Sequence, residues 1–199
     1  MTLTALALPQ AELLFDPDFL PPSEAQTLLA ELTATVAWAQ QPIRLFGREV
    51  LQPRLTAWYG DPGAHYAYSG LRLAPHPWTP ALAQLRQQVE QAAGAAFNSV
   101  LLNLYRTGQD GMGWHADDEP ELGPEPVIAS VTLGATRSFR LKPRHPHLLP
   151  HAPVALSLTA GSLLLMRGPT QRHWLHALPK TARPVAPRLN LTFRQVQLR

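Results

Sequence analysis

The chain contains no cysteine, which excludes disulfides and thiolate metal centres and leaves histidine and carboxylate as the side chains that would hold a metal. Lysine is nearly absent: Lys142 and Lys180 are the only two, although Lys and Arg together number 17. Arginine therefore carries the positive charge, and its planar fork suits carboxylate and phosphate. A GC-rich coding bias toward Arg, Ala and Pro accounts for the same composition, and a net charge of +3 does not by itself point to a polyanion. No apolar run approaches the ~18 residues of a membrane-crossing helix. The stretch Met1 to Gln10 also lacks the basic start and apolar core of a secretory leader. A soluble, cytoplasmic protein without membrane contact is expected. With 199 residues, 45% of them hydrophobic, the chain has enough for one buried core and too little for two, so a single domain over 1–199 and a monomer are expected.

Two helices are predicted in the N-terminal half. Ser23 with Gln26 three residues on reads as a capping box, followed by Ala25, Leu28, Leu29, Leu32 and Val36 at helical spacing, which predicts a helix from about Ser23 to Trp38. Thr79-Pro80 opens a second, with Leu82, Leu85 and Val89 on one face and Gly94 as its stop. Between them, Ile43 to Trp78 is rich in aromatics, Gly and Pro and reads as short strands and loops. From Phe97 the period changes to β-type runs: Ser99 to Tyr105, Val127 to Leu133, Ser138 to Leu141, Val154 to Leu158, Ser162 to Met166 and Leu189 to Val196. Pro143 to Pro153 reads as a surface loop. The expected fold is mainly β with flanking helices, a sandwich or jelly roll rather than a doubly wound sheet. Its division would fall near residue 95, with helices before it and the β core after.

The chemistry gathers around two short stretches. In Gly113-Trp114-His115-Ala116-Asp117-Asp118-Glu119, His115 and Asp117 are two residues apart, so extended backbone aims both the same way. A third ligand is available from His173 or His176, beyond the apolar run Ser162 to Met166. Two His and one carboxylate form the facial triad of non-haem Fe(II) oxygenases, which leaves three adjacent coordination positions open. An H-x-D pair alone is common by chance. The second stretch, Arg188-Leu189-Asn190-Leu191-Thr192-Phe193-Arg194, alternates polar and apolar with period two, so Arg188, Asn190, Thr192 and Arg194 share one face. Such a row usually meets solvent; turned inward, its two arginines would need an anion, for which a dicarboxylate is the natural partner.

H-x-D, a distal His and a terminal R-x-N-x-T-F-R in that order resemble the signature of the AlkB family, over roughly Arg44 to Gln197. Tyr-Gly-Asp, Tyr-Ser-Gly, His-x-Asp-Asp-Glu and Asn-Leu-Thr-Phe-Arg segments look most like the eukaryotic-type homologues that repair DNA. The resemblance implies a double-stranded β-helix (jelly roll) with a nucleotide-recognition lid in its N-terminal part. It implies Fe(II), 2-oxoglutarate and O2 as cofactors, and His115, Asp117 and His176 as iron ligands, with His173 left in a supporting or loop position. In the co-substrate pocket it implies Arg194 on the distal carboxylate, Arg188 near the carboxylate beside the metal, Asn103 and Tyr105 as donors, and Asn190 and Thr192 in support. The implied reaction oxidises N-alkyl groups of bases such as 1-methyladenine and 3-methylcytosine, releasing formaldehyde, succinate and CO2.

An alkylated Watson–Crick nitrogen is buried in a duplex, so the base must be single-stranded or flipped. By resemblance, Tyr68 stacks on that base opposite His115, Tyr66 borders the pocket, and Glu119, with Asp118 as its neighbour, meets an exocyclic amine. Phe46, in Leu45-Phe46-Gly47 between Arg44 and Arg48, resembles the wedge by which duplex-active relatives fill the gap. Tyr66, Tyr68 and Phe46 read equally as packed strand or hairpin residues. The basic run that those relatives carry after the distal His is reduced here to Lys180 and Arg183, and His145, His147 and His151 stand in the Pro-rich loop. The expected partner is alkylated DNA, single- or double-stranded, with RNA as an alternative. Rival readings are the same oxygenase chemistry on RNA or a protein side chain, a catalytically silent nucleic-acid-binding module, and a cupin-like small-molecule binder.

Overall fold

The computed structural model describes residues 2–45, 48–64, 66–68 and 71–197. The chain runs β1 (Thr4–Leu6), β2 (Glu12–Asp16), α1 (Pro22–Thr35), β3 (Pro42–Leu45), β4 (Arg48–Leu51), β5 (Leu55–Gly60), β6 (Tyr66–Tyr68), β7 (Leu71–Leu73) and α2 (Pro80–Ala93). It continues with β8 (Ser99–Tyr105), β9 (Met112–His115), β10 (Ile128–Gly134), β11 (Arg137–Pro143), β12 (Val154–Leu158), β13 (Leu163–Arg167), α3 (Thr170–His173), β14 (Trp174–Leu178) and β15 (Arg188–Arg194). Among the described residues no helix is long and apolar enough to cross a membrane.

Two antiparallel sheets face each other. The major sheet has the order β1-β2-β13-β10-β15-β8-β5 and the minor sheet β12-β11-β14-β9, while β3-β4 and β6-β7 form separate hairpins. This is the jelly roll expected, with α1 and α2 laid on the outer face of the major sheet. Two cores result. Leu32, Leu85 and Val89 of the helices pack on Leu102, Val131 and Leu191 of the sheet; Ile128, Phe139, Leu141, Leu164 and Trp174 fill the space between the sheets. Each such buried aliphatic or aromatic side chain contributes roughly 1.5–3 kcal/mol relative to exposure.

Because the major sheet is covered on both sides, its strands carry a second meaning in their alternation. In β15, Leu189, Leu191 and Phe193 meet the helices, and Arg188, Asn190, Thr192 and Arg194 turn toward the minor sheet, all of them buried. A polar row on an inner face has no solvent to meet, so it marks a site.

Local differences from the sequence reading have physical causes. Helix α1 begins one residue earlier than predicted, at Pro22 after Pro21, with no side-chain cap; proline fits the first turn without one. It ends at Thr35 because Thr33, Thr35 and Val36 are β-branched and poor helix formers, and Trp38 folds back to donate from Nε1 to the Thr33 carbonyl at 3.2 Å. Helix α2 matches its prediction: Thr79 Oγ1 accepts from the Leu82 amide at 3.3 Å, and Gly94 closes it at φ 60°. The boundary expected near residue 95 does not divide the sheet, since β1, β2 and β5 all belong to it.

Candidate active site

One cleft between the sheets is lined by Asn103, Tyr105, His115, Asp117, His176, Arg188, Asn190, Thr192 and Arg194. These are the residues expected for metal and co-substrate, and four strands, β8, β9, β14 and β15, with the turn after β9, deliver them. His115 ends β9 and His176 lies opposite it in the register of β14, while Asp117 follows two residues after His115. The ligand atoms of the three lie within 4.8 Å of one another. His173, the other candidate, closes α3 and is not part of this group; its carbonyl accepts the Arg144 amide at 2.8 Å.

The donors are set for a cation. His115 Nδ1 is 2.9 Å from the Gly113 carbonyl, so with the proton on Nδ1 the other ring nitrogen, Nε2, carries the lone pair. Burial pushes the His115 imidazolium below its usual range against the pull of Asp117. Burial, with His115 beside it, brings His176 down to about 3. Burial opposes ionisation of Asp117, but Arg194 and the two imidazoles outweigh it and hold the carboxyl below its usual range. Two neutral nitrogens and one ionised oxygen are what a divalent iron ion takes, so the residues fit the metal. Gln171, on α3, accepts the Asp117 amide at 2.9 Å through Oε1, and Phe139 stacks on His176 with ring centroids 5.3 Å apart.

The far end of the cleft holds a buried arginine. Arg188 is 2% exposed, and Nη2 donates to Thr132 Oγ1 at 2.8 Å and Asn190 Oδ1 at 2.9 Å, both neutral. Its Nε has no partner among the described residues, and its guanidinium lies 5.4 Å from the centre of the Tyr105 ring. Burial lowers its pKa to about 10 despite the pull of Tyr105. Asn190 Nδ2 in turn donates to Thr192 Oγ1 at 2.8 Å, and Ser130 Oγ donates to Asn190 Oδ1 at 2.9 Å. Arg194 Nη2 donates to Asp117 Oδ1 at 2.7 Å. The order along β15 is thus the reverse of that expected: Arg194 stands beside the triad and Arg188 at the distal end. The reason is the register. Arg188 pairs with Tyr105 and Gly134 at one end of the sheet, and Arg194 with Ser99 at the other.

Residues missed by the sequence reading complete the pocket. Arg54 is buried and donates from Nε to Asn103 Oδ1 at 2.8 Å; no pattern in Gln52-Pro53-Arg54 announces it. Ser130 and Thr132 were legible, because Ile128, Ser130 and Thr132 alternate with Ala129, Val131 and Leu133 as the polar row of β15 does. Of the expected base-contacting residues, Asp118 is exposed and held by Arg144 Nη1 at 2.6 Å. Tyr66 and Tyr68 belong to the β6-β7 hairpin, but their side chains lie outside the described residues, as does Phe46 altogether.

A jelly roll with a His-Asp-His triad at one end of a cleft and a buried arginine at the other defines a class. The chain belongs to the 2OG-Fe(II) oxygenase superfamily, which matches residues 12–194. Its relatives are AlkB homologues. It is 43% identical over 183 residues to the mouse DNA oxidative demethylase ALKBH2, covering 87% of this chain and 76% of that one. It is 41% identical over 186 residues to the human alpha-ketoglutarate-dependent dioxygenase alkB homolog 3, covering 90% of this chain. The chain spans 64% of the length of that relative and of its bovine counterpart. The solved structure of OsALKBH1 superposes with a TM-score of 0.69 over 98% of this chain and 100% of that one, at 17% identity; the shared feature there is the fold.

Proposed function

We propose that this chain is an oxidative dealkylase of nucleic-acid bases, acting on N-alkylated DNA of the 1-methyladenine and 3-methylcytosine type. The observation that carries the chemistry is a single cleft with three metal donors at one end and, at the other, Arg188, which is ion-paired with no carboxylate among the described residues. The substrate class rests on similarity to relatives named as DNA oxidative demethylases.

Iron(II), held with 2-oxoglutarate and O2, supplies the oxidising power that places a hydroxyl on the alkyl carbon. His115, Asp117 and His176 would occupy one face of the metal. Arg188, whose Nε has no hydrogen-bond partner among the described residues and whose guanidinium lies beside the Tyr105 ring, would bind the distal carboxylate of 2-oxoglutarate. Arg194, already 2.7 Å from Asp117, would meet the carboxylate nearest the metal while holding that ligand in place. Asn103, oriented by Arg54 through Oδ1, keeps Nδ2 as a donor. Leu101, Phe139 and Met166 line the cleft and exclude water from the reacting centre. In balance, the N-methyl carbon, 2-oxoglutarate and O2 give an N-hydroxymethyl base, succinate and CO2; the hydroxymethyl then leaves as formaldehyde and the ring nitrogen recovers its hydrogen or lone pair.

The flipped base would stack on Tyr68 opposite His115, with Tyr66 at the border and Phe46 filling the vacated step in a duplex. By the same resemblance Glu119 is the carboxylate assigned to the exocyclic amine, beside Asp118, which is paired with Arg144. The test is formaldehyde and restored base from methylated oligonucleotides, single- and double-stranded DNA and RNA, with Fe(II) and 2-oxoglutarate present or omitted. Cofactor-dependent repair is expected; turnover of 2-oxoglutarate with every base still methylated would overturn the substrate.

A further inference from the structure

Trp114 stands next to the metal ligand His115 and is 41% exposed, the only aromatic among the large exposed hydrophobic side chains of the described residues. It borders a cleft of about 330 Å³ on the outer face of the minor sheet, lined also by Gly113, Arg140, Ala177 and Lys180 and by no acidic side chain. The strand pattern puts it outside: in β11, Phe139 and Leu141 are buried, so Arg140 and Lys142 point away from the core. Lys142 reaches back across β14 until its Nζ is 4.6 Å from the indole centroid. No carboxylate among the described residues is ion-paired with Arg140, Lys142 or Lys180, since the nearby Asp118 is held by Arg144 and Asp110 by Arg106. Met112 lines both this cleft and the active-site cleft, so the two adjoin.

We propose that this face binds single-stranded nucleic acid flanking the target base, with one base stacked on Trp114 and its phosphates on Arg140, Lys142 and Lys180; the proposal rests on the dealkylase reading. An indole face accepts any base, and three cations beside it, none ion-paired with a carboxylate among the described residues, meet the backbone. A duplex hides its base faces except at its ends, so the platform selects single strands. The cluster also supplies charge on a chain whose net charge is only +3.

The test is fluorescence anisotropy of the full chain with labelled, unmodified oligothymidylate and oligouridylate of about 12 nucleotides, within the usual site-size range. Trp114→Ala is expected to weaken binding about fivefold or more, the low end for loss of a stacked base, and Trp114→Phe to restore most of it. Arg140→Glu is expected to weaken binding and flatten its dependence on log salt. A blunt duplex should respond to neither change. Preference for one of the two oligomers identifies DNA or RNA as the source, and either result supports the strand site. Unchanged binding in Trp114→Ala and Arg140→Glu, with melting temperatures intact, would overturn it. So would displacement of the oligomer by polyglutamate at equal charge. Because the probes carry no lesion, failure to repair methylated bases would remove the dealkylase reading while leaving this result standing.

Discussion

Arg188 is a buried cation that is ion-paired with no carboxylate among the described residues. Its Nη2 donates to the neutral oxygens of Thr132 and Asn190, and burying a cation without an anion beside it costs stability. Replacing it by Gln should raise the KM for 2-oxoglutarate about 30-fold or more, the value of a lost charge-assisted contact of ~2–3 kcal/mol. Succinate release against 2-oxoglutarate concentration measures this, and an unchanged KM would move the anion site elsewhere. Asp117 makes the complementary case. Asp117→Ala should abolish both turnover and calorimetrically detectable Mn(II) binding, because one of three donors is gone and the Arg194 charge is left facing two imidazoles. Retained metal binding would remove Asp117 from the set.

At the level of elements, the turn from β8 to β9 positions His115 and is braced by charge. Arg106 Nε meets Asp110 Oδ2 at 2.8 Å, and Arg137 donates to the carbonyls of Thr107, Asp110 and Pro179. Burial works against ionised Asp110, but Arg106 outweighs it and the carboxyl sits below its usual value of 3.8. A depressed carboxyl stabilises the fold fully above that unfolded value and loses the effect as pH falls through the folded one. Asp110→Asn should therefore lower the melting temperature at neutral pH, with the gap to the parent closing in acid; a gap that widens below pH ~4 contradicts the assignment. Legibility followed the same physics. β8, β12 and α2 were readable because their periods or caps are local. The common side of His115 and Asp117 and the shared face of Arg188, Asn190, Thr192 and Arg194 were readable because the spacing of H-x-D and the alternation of β15 survive without tertiary context, whereas the choice of His176 over His173 came from the family resemblance alone. β9 and β14 escaped notice, since Met112-Gly113-Trp114-His115 has no alternation and Trp174–Leu178 is buried on nearly every residue. The order of Arg188 and Arg194 depended on sheet register, which no local pattern encodes.

For the molecule as a whole, ligands that bind the folded cleft alone must raise its stability. Mn(II) with 2-oxoglutarate at about 100 times the dissociation constant adds ~2.7 kcal/mol, which for a domain of this size raises the melting temperature by roughly 5–10 °C. Chelator should reverse the shift, and a shift produced by 2-oxoglutarate without metal would separate the two sites. The position of β15 carries a further consequence. Bonded to β10 on one side and β8 on the other, the strand that bears both arginines has no free edge, and a fluctuation cannot peel it away by itself. Its amides should be among the last to exchange with deuterated solvent, at the rate of global opening, with those of the detached β3-β4 hairpin far ahead. The protein can then open its β3-β4 hairpin many times over without disturbing the strand that carries Arg188 and Arg194.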